Sequence, residues 1–185
     1  METGRNEGDL TRRMALKGAA GVALGAAGLA AVGSAVNAQS ATPTAGVGVA
    51  QVPVLTVEGA MTVLQAALAK AQEIAVPEVI AVVDAAGDVK ALIRMDGAPK
   101  ASIDIAMDKA YTSASFHVPT DQFATAVSAD PVIMASILKA PHITLLPGGY
   151  PLTSGETVIG AIGVSGGSGE QDQECAQAGV AALGA

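Results

Sequence analysis

The amino-acid sequence predicts an α+β fold in which helices pack on an antiparallel sheet. Three observations carry that expectation. The elements run helix, two strands, several helices, two or three strands, helix, which lacks the strand–helix alternation of a doubly wound parallel sheet. Half of the 185 residues are apolar, mostly Ala and Val, with no Trp, two Phe and two Tyr. A core of such small side chains suits close helix–sheet contact. Finally, apolar runs flank short turns rich in Gly and Asp, the mark of hairpins.

The elements follow in order. Thr56 caps a helix that runs to about Ile74 and keeps Ala60, Leu64, Ala67, Leu68 and Ala71 on one face. "VIAVV", the turn "DAAGD" and the alternating "VKALIRM" make a β-hairpin. "KASIDIAMDKAYTSASF" is helical, with Ile103, Met107 and Ala110 on one side and Asp104 and Asp108 on the other. A helix over "TDQFATAVS" begins at a Thr120 cap, and one over "DPVIMASILKA" has Asp130 as cap and Pro131 in its first turn. A strand "HITLL", a turn "PGGYP" and a strand "ETVIGAIGV" come next, and a helix from near Ser168 to Leu183 ends the chain.

Residues 1–38 read as an address. "TRRMALK" provides a basic start with the Arg12–Arg13 pair, a weakly apolar run follows from Gly18 to Val36, and "VNA" predicts cleavage after Ala38. This resembles a twin-arginine signal, departing from it at Ala15, where a large apolar residue is usual. It implies a periplasmic or extracellular destination, and the pathway carries folded proteins, often with a cofactor inserted. The other reading is a retained membrane anchor. Residues 39–53, rich in Pro, Gly, Ser and Thr, form a flexible lead-in, and residues 54–185 form one domain.

Formal charge is −7 overall, and residues 39–185 carry six basic against fourteen acidic residues. Such an acidic body repels phosphates and excludes nucleic acid as a partner. Cys175 is the one cysteine, so no internal disulfide can form, and it reads as a small buried helix residue.

The stretch "GVSGGSGEQDQE" invites a nucleotide-loop reading. No Lys follows the glycines, as a P-loop requires, and the motif follows the last strand rather than the first of a βαβ unit. It reads instead as a corner between strand and helix, with Ser168 and Gln171 as a capping box and free N–H groups able to hold a carboxylate. No histidine pair has metal-ligand spacing. Asp84 and Asp88 suit turn chemistry, and Arg94 beside Asp96 suits a structural pair. Three of the four aromatic residues, Tyr111, Phe116 and Phe123, lie close to His117 in sequence. A flat apolar ligand with a metal centre would use such rings together with an imidazole, phenolate or hydroxyl. The plainer reading is a partly exposed His at a helix C-terminus. His142 reads as structural.

The motifs "VIAVVDAAGDVKALIRMDGA", "AMDKAYTSASF" followed by "PT", "LLPGGYPL", "VIGAIGVSGG" and "QDQECAQAG" together resemble the GlcG/HbpS-type haem-binding family, from Leu55 to Leu183. The resemblance implies a profilin-like sandwich with an antiparallel sheet of about five strands between helices. It also implies haem binding at an oligomer surface, with corrinoid the alternative cofactor. By motif it carries over Asp84, Arg94, Asp96, Lys109, Thr112, Gly148, Gly149, Ser165 and Gly166. Thr112, Tyr111 and His117 are the candidate iron ligands, with Phe116 beside them. The function so implied is an exported, homo-oligomeric haem-binding protein without enzymatic activity, serving haem capture, storage or sensing beside a membrane sensor or transporter. The alternative is an enzyme or accessory subunit acting on a small carboxylate or corrinoid, with Arg94 and Lys109 as anion partners. A bare assembly module is the third reading.

Overall fold

The computed structural model describes residue 48 and residues 50–184. The expected signal over 1–38 and most of the lead-in lie outside those residues. Helix α1 (Val57–Glu73) leads into strands β1 (Val79–Asp84) and β2 (Val89–Arg94). Helices α2 (Ser102–Phe116), α3 (Thr120–Ser128) and α4 (Pro131–Ile137) follow, then strands β3 (Gly149–Ser154) and β4 (Thr157–Ser165), then helix α5 (Gly169–Leu183). The four strands form one antiparallel sheet in the order β2-β1-β4-β3. Among the described residues, no helix is long and apolar enough to cross a membrane.

Strand alternation divides the core into two layers. Ile80, Val82, Leu152, Ile162 and Val164 point to α1 and α5, where they meet Ala60, Val63, Leu64, Ala67, Cys175 and Ala176. Val79, Ala81, Val83 and Ala161 point the other way, against Ala106, Ala110 and Ala114 of α2. Three alanines spaced four apart give α2 a flat, narrow face. Opposite them, β4 has Gly163, paired with Ala81 on one side and Gly149 on the other. A Cβ at Gly163 would strike the Ala106 carbonyl oxygen, and one at Gly149 would strike the Lys109 carbonyl oxygen. Helix α2 therefore meets β3 and β4 backbone to backbone.

Most local signals act as expected. Thr56 caps α1 by accepting from Gly59 N at 3.1 Å. Asp130 accepts from Val132 N and Ile133 N, and Ser168 and Gln171 form the capping box of α5. Cys175 is fully buried in the α5 face.

Three expectations are corrected. The sheet has four strands rather than about five, because residues 142–146 make none. Their backbone is held by a side chain instead: Thr112 Oγ1 donates to the His142 carbonyl at 3.3 Å and accepts from Thr144 N at 3.0 Å. The "PGGYP" stretch begins β3 rather than a turn, and the hairpin turns one strand later, around Gly155. Thr120 is the first residue of α3, not its cap; its hydroxyl accepts from Gly149 N at 3.0 Å and pins α3 to the start of β3.

Gly163→Ala should force α2 away from β4 and cost roughly 3 kcal/mol. Urea unfolding of the two proteins measures it; a loss below about 1 kcal/mol would mean that α2 is free to lift from the sheet.

Candidate functional site

Because α2 touches the sheet along one narrow stripe, its two flanks remain open to other elements. On one flank stands Lys109, only 2 % exposed. Its Nζ donates to the Val164 carbonyl at 2.7 Å and to Asp172 Oδ2 at 2.5 Å. Asp172, on the first turn of α5, also accepts from Gly167 N through Oδ1 at 3.0 Å. The same N–H reaches Glu78 Oε2 at 3.2 Å, while Glu78 Oε1 is buried without a partner. Gly148 and Gly166 make room for this network. A Cβ on Gly148 would lie 2.8 Å from Asp172 Cβ and 3.1 Å from Lys109 Nζ, and one on Gly166 would lie 2.6 Å from Glu78 Oε2. Above Lys109 opens a cavity of about 510 Å³, lined also by Ser102, Leu146, Ser165 and Gly169.

On the other flank, Asp108 and Tyr111 meet the loop that follows α4. Asp108 Oδ1 lies 3.1 Å from His142 Nδ1, and the Tyr111 ring meets the imidazole edge-on at a centroid distance of 5.8 Å. Gly87 lets Tyr111 settle there, since a Cβ at that position would be 2.6 Å from the ring. These residues and Met107 line a cleft of about 230 Å³. A carboxylate accepting from Nδ1–H fixes the tautomer and leaves Nε2 as a lone-pair donor. His142 is mostly exposed, with 69 % of its side chain accessible.

The structure separates the residues singled out from sequence. The ring cluster around His117 does not form: Tyr111 lies with His142, and Phe116 stacks on Phe123 at 4.1 Å. The reason is helical geometry, because five residues turn the chain by about 140° beyond a full circle and send Tyr111 and Phe116 in different directions. His117 ends α2 in a left-handed conformation (φ 61°) and lines a third cavity, of about 610 Å³, with Val52, Val54, Asp84 and Lys90. Thr112 is fully buried, with its hydroxyl occupied by residues 142 and 144. Asp84 anchors the β1–β2 turn by accepting from Ala86 N and Asp88 N. Arg94 does not pair with Asp96; its Nη1 donates to the Ala98 carbonyl at 2.8 Å, and it does not line the cavity above Lys109. Lys109, Gly148, Ser165 and Gly166 do come together around the first cavity. Gly149 lies beneath α2, touching the Lys109 backbone.

Sequence reasoning passed over His142, Asp108, Glu78 and Asp172. No spacing rule links positions 34 residues apart, such as Asp108 and His142. Glu78 had a faint signal, a carboxylate directly before an all-apolar strand, where a charge is costly unless met.

Burial, and then the Asp172 charge, push the Glu78 carboxyl up from 4.5 to about 8; the Gly167 N–H and Lys109 pull the other way and lose. Glu78 therefore keeps its proton at neutral pH. Between the unfolded value and that folded value the native state binds the extra proton, so stability falls as pH rises through the window. Glu78→Gln keeps the shape without ionising and should remove that decline, a difference on the order of 3 kcal/mol between roughly pH 5 and pH 9. Urea unfolding at both pH values tests it; parallel pH profiles for the two proteins would contradict the assignment.

A family model described as "Haem degrading protein HbpS-like" matches residues 55–181. An uncharacterised 15.0 kDa protein of Citrobacter freundii, from the dhaT–dhaS intergenic region, is 38% identical over 128 residues, which is 69% of this chain and 90% of its own. Corrinoid adenosyltransferase PduO of Salmonella typhimurium is 35% identical over 121 residues, 64% of this chain but 36% of PduO. The crystal structure of HbpS matches with a TM-score of 0.69 at 33% identity, over 75% of this chain and 96% of HbpS. That of a PduOC–haem complex matches with a TM-score of 0.65 at 32% identity, over 70% and 95%. With the match running from Leu55 at the foot of α1 into α5, the chain belongs to the HbpS-like family.

Proposed function

We propose that this protein binds haem, with the cleft between α2 and the loop after α4 receiving the metal side of the ligand. The observation that carries the reading is the Asp108–His142 pair: an imidazole oriented by a carboxylate through Nδ1, with Nε2 unpartnered among the described residues. Such a carboxylate–histidine pair is the usual support for a metal ligand. Tyr111 and Met107 offer a ring and a thioether to one face of a planar molecule. The similarity to a haem-complexed PduOC domain supports the same ligand.

The residues fit a haem in part. They would supply an imidazole donor and one apolar wall, but a cleft of about 230 Å³ is below the range of about 300–1,000 Å³ usual for sites that enclose a ligand. The remaining face would be covered by a second copy of the chain, which is why a homo-oligomer belongs to this proposal. Export by a twin-arginine signal, with cleavage after Ala38, belongs to it as well. The acidic, weakly aromatic body fits capture, storage or sensing of haem outside the cytoplasm, beside a membrane sensor or transporter. Bound haem would gain its redox and ligand-binding chemistry from its own iron, and this chain's part is to orient His142 and shield one face.

A second reading comes from the family description, which names haem degradation. Protein-dependent bleaching of the Soret band with hydrogen peroxide, faster than for haemin alone, would favour it over plain binding. Corrinoid binding is the alternative that the PduO relative raises.

Titration of the purified protein with haemin should give a shifted Soret band that saturates at a defined stoichiometry, and cobalamin should produce no comparable change. His142→Ala should alter the band, Asp108→Asn should weaken binding by roughly 10-fold, and His117→Ala should leave both unchanged. A spectrum that stays that of free haemin at every ratio would reject haem binding. A change with His117→Ala but not with His142→Ala would reject the placement.

A further inference from the structure

The cavity above Lys109 is separate from the haem cleft, since α2 carries the two on opposite flanks. Its volume of about 510 Å³ falls within the range of small-molecule sites. What distinguishes it is an excess of unmet donors. The Lys109 ammonium has three N–H bonds, and two of them are spent on Val164 and Asp172. Gly169 is the first residue of a 15-residue helix, and its N–H has no acceptor among the described residues. Ser102 and Ser165 are 4% and 5% exposed, line the same space, and their hydroxyls have no partner among the described residues. Both hydroxyls are therefore open to a partner that enters the cavity.

The carboxylate on the cavity wall, by contrast, is engaged on both oxygens. Asp172 takes Lys109 on one oxygen and Gly167 N–H on the other. With Glu78 holding its proton at neutral pH, Lys109 and Asp172 cancel, so the buried part of the site is neutral before any ligand enters. The rim already shows what the start of α5 prefers. The exposed Glu170 carboxylate turns back to accept from the Ser168 hydroxyl at 2.9 Å, and its own backbone N–H holds it below the usual carboxylate range.

We infer that this cavity binds a small carboxylic acid, whose carboxylate accepts from Lys109 Nζ and Gly169 N–H while Ser102 and Ser165 receive its hydroxyl or carbonyl groups. The apolar side of such a molecule would rest on Ile105, Leu146 and Pro147. Glu170 competes with the ligand from the rim, by charge and by occupying the helix start. This inference does not rest on haem binding.

The test is an NMR titration of the amides of the purified full chain with acetate, lactate and succinate, and with acetamide as the uncharged control. At least one acid should give saturable shifts at Gly167, Gly169 and Glu170, with a dissociation constant of about 1 mM or tighter. Glu170→Gln, an exposed change, should tighten binding about 3-fold or more by removing a like charge. Ser102→Leu or Ser165→Leu, each filling the cavity, should abolish it, and whichever variant keeps its remaining amide spectrum is the one to use. His142→Ala should leave acid binding intact, so this inference and the haem reading fail separately. The idea is overturned if none of the acids saturates by about 50 mM, if acetamide binds as well as acetate, or if the cavity-filling variant still binds.

Discussion

The contact on which the rest of the molecule depends is the backbone-to-backbone approach of α2 to β3 and β4. Ala106, Ala110 and Ala114 form one side of it, and Gly149 and Gly163 the other. Larger residues would still bury apolar surface, but they would raise the helix and widen the gap on both flanks. With α2 seated this low, Lys109 reaches across to Asp172 of α5 on one flank, and Asp108 reaches His142 on the other. An Ala- and Gly-rich composition, which offers few large side chains to wall a pocket, is what brings these groups together.

The Lys109 flank is an unusual investment for a domain this small. A buried ion pair rarely stabilises a fold against an apolar alternative, and here it is accompanied by a carboxyl whose second oxygen has no partner. Local glycines at 148 and 166 give up side chains to accommodate it. A network that adds little stability and constrains four separate elements is best understood by what its polar groups can do in the cavity they border. The His142 flank is built on the opposite principle: it is exposed, lined by the Tyr111 ring and open on one side.

Much of the scaffold was legible in the sequence because it is specified by neighbours along the chain. Thr56, Asp130 and the Ser168–Gln171 box cap helices through bonds to residues two or three positions away, and the Val79–Arg94 hairpin follows from alternation around a short turn. The failures share a cause as well. "HITLL" has strand composition, but Thr112, 30 or more residues earlier, takes its backbone groups. The rings at Tyr111 and Phe116 are close in sequence, yet the helix turns them apart. The site was legible in part: Lys109, Gly148, Ser165 and Gly166 do converge, whereas His142, Asp108, Asp172 and Glu78 depend on contacts across the fold that no local pattern encodes.

The measurement that bears most directly on this account is a crystal structure of the full chain grown with haemin. The account places the iron beside His142 Nε2, with Tyr111 and Met107 against one face of the macrocycle and the Lys109 cavity free of it. Iron beside His117, or a macrocycle seated between Lys109 and the start of α5, would contradict it.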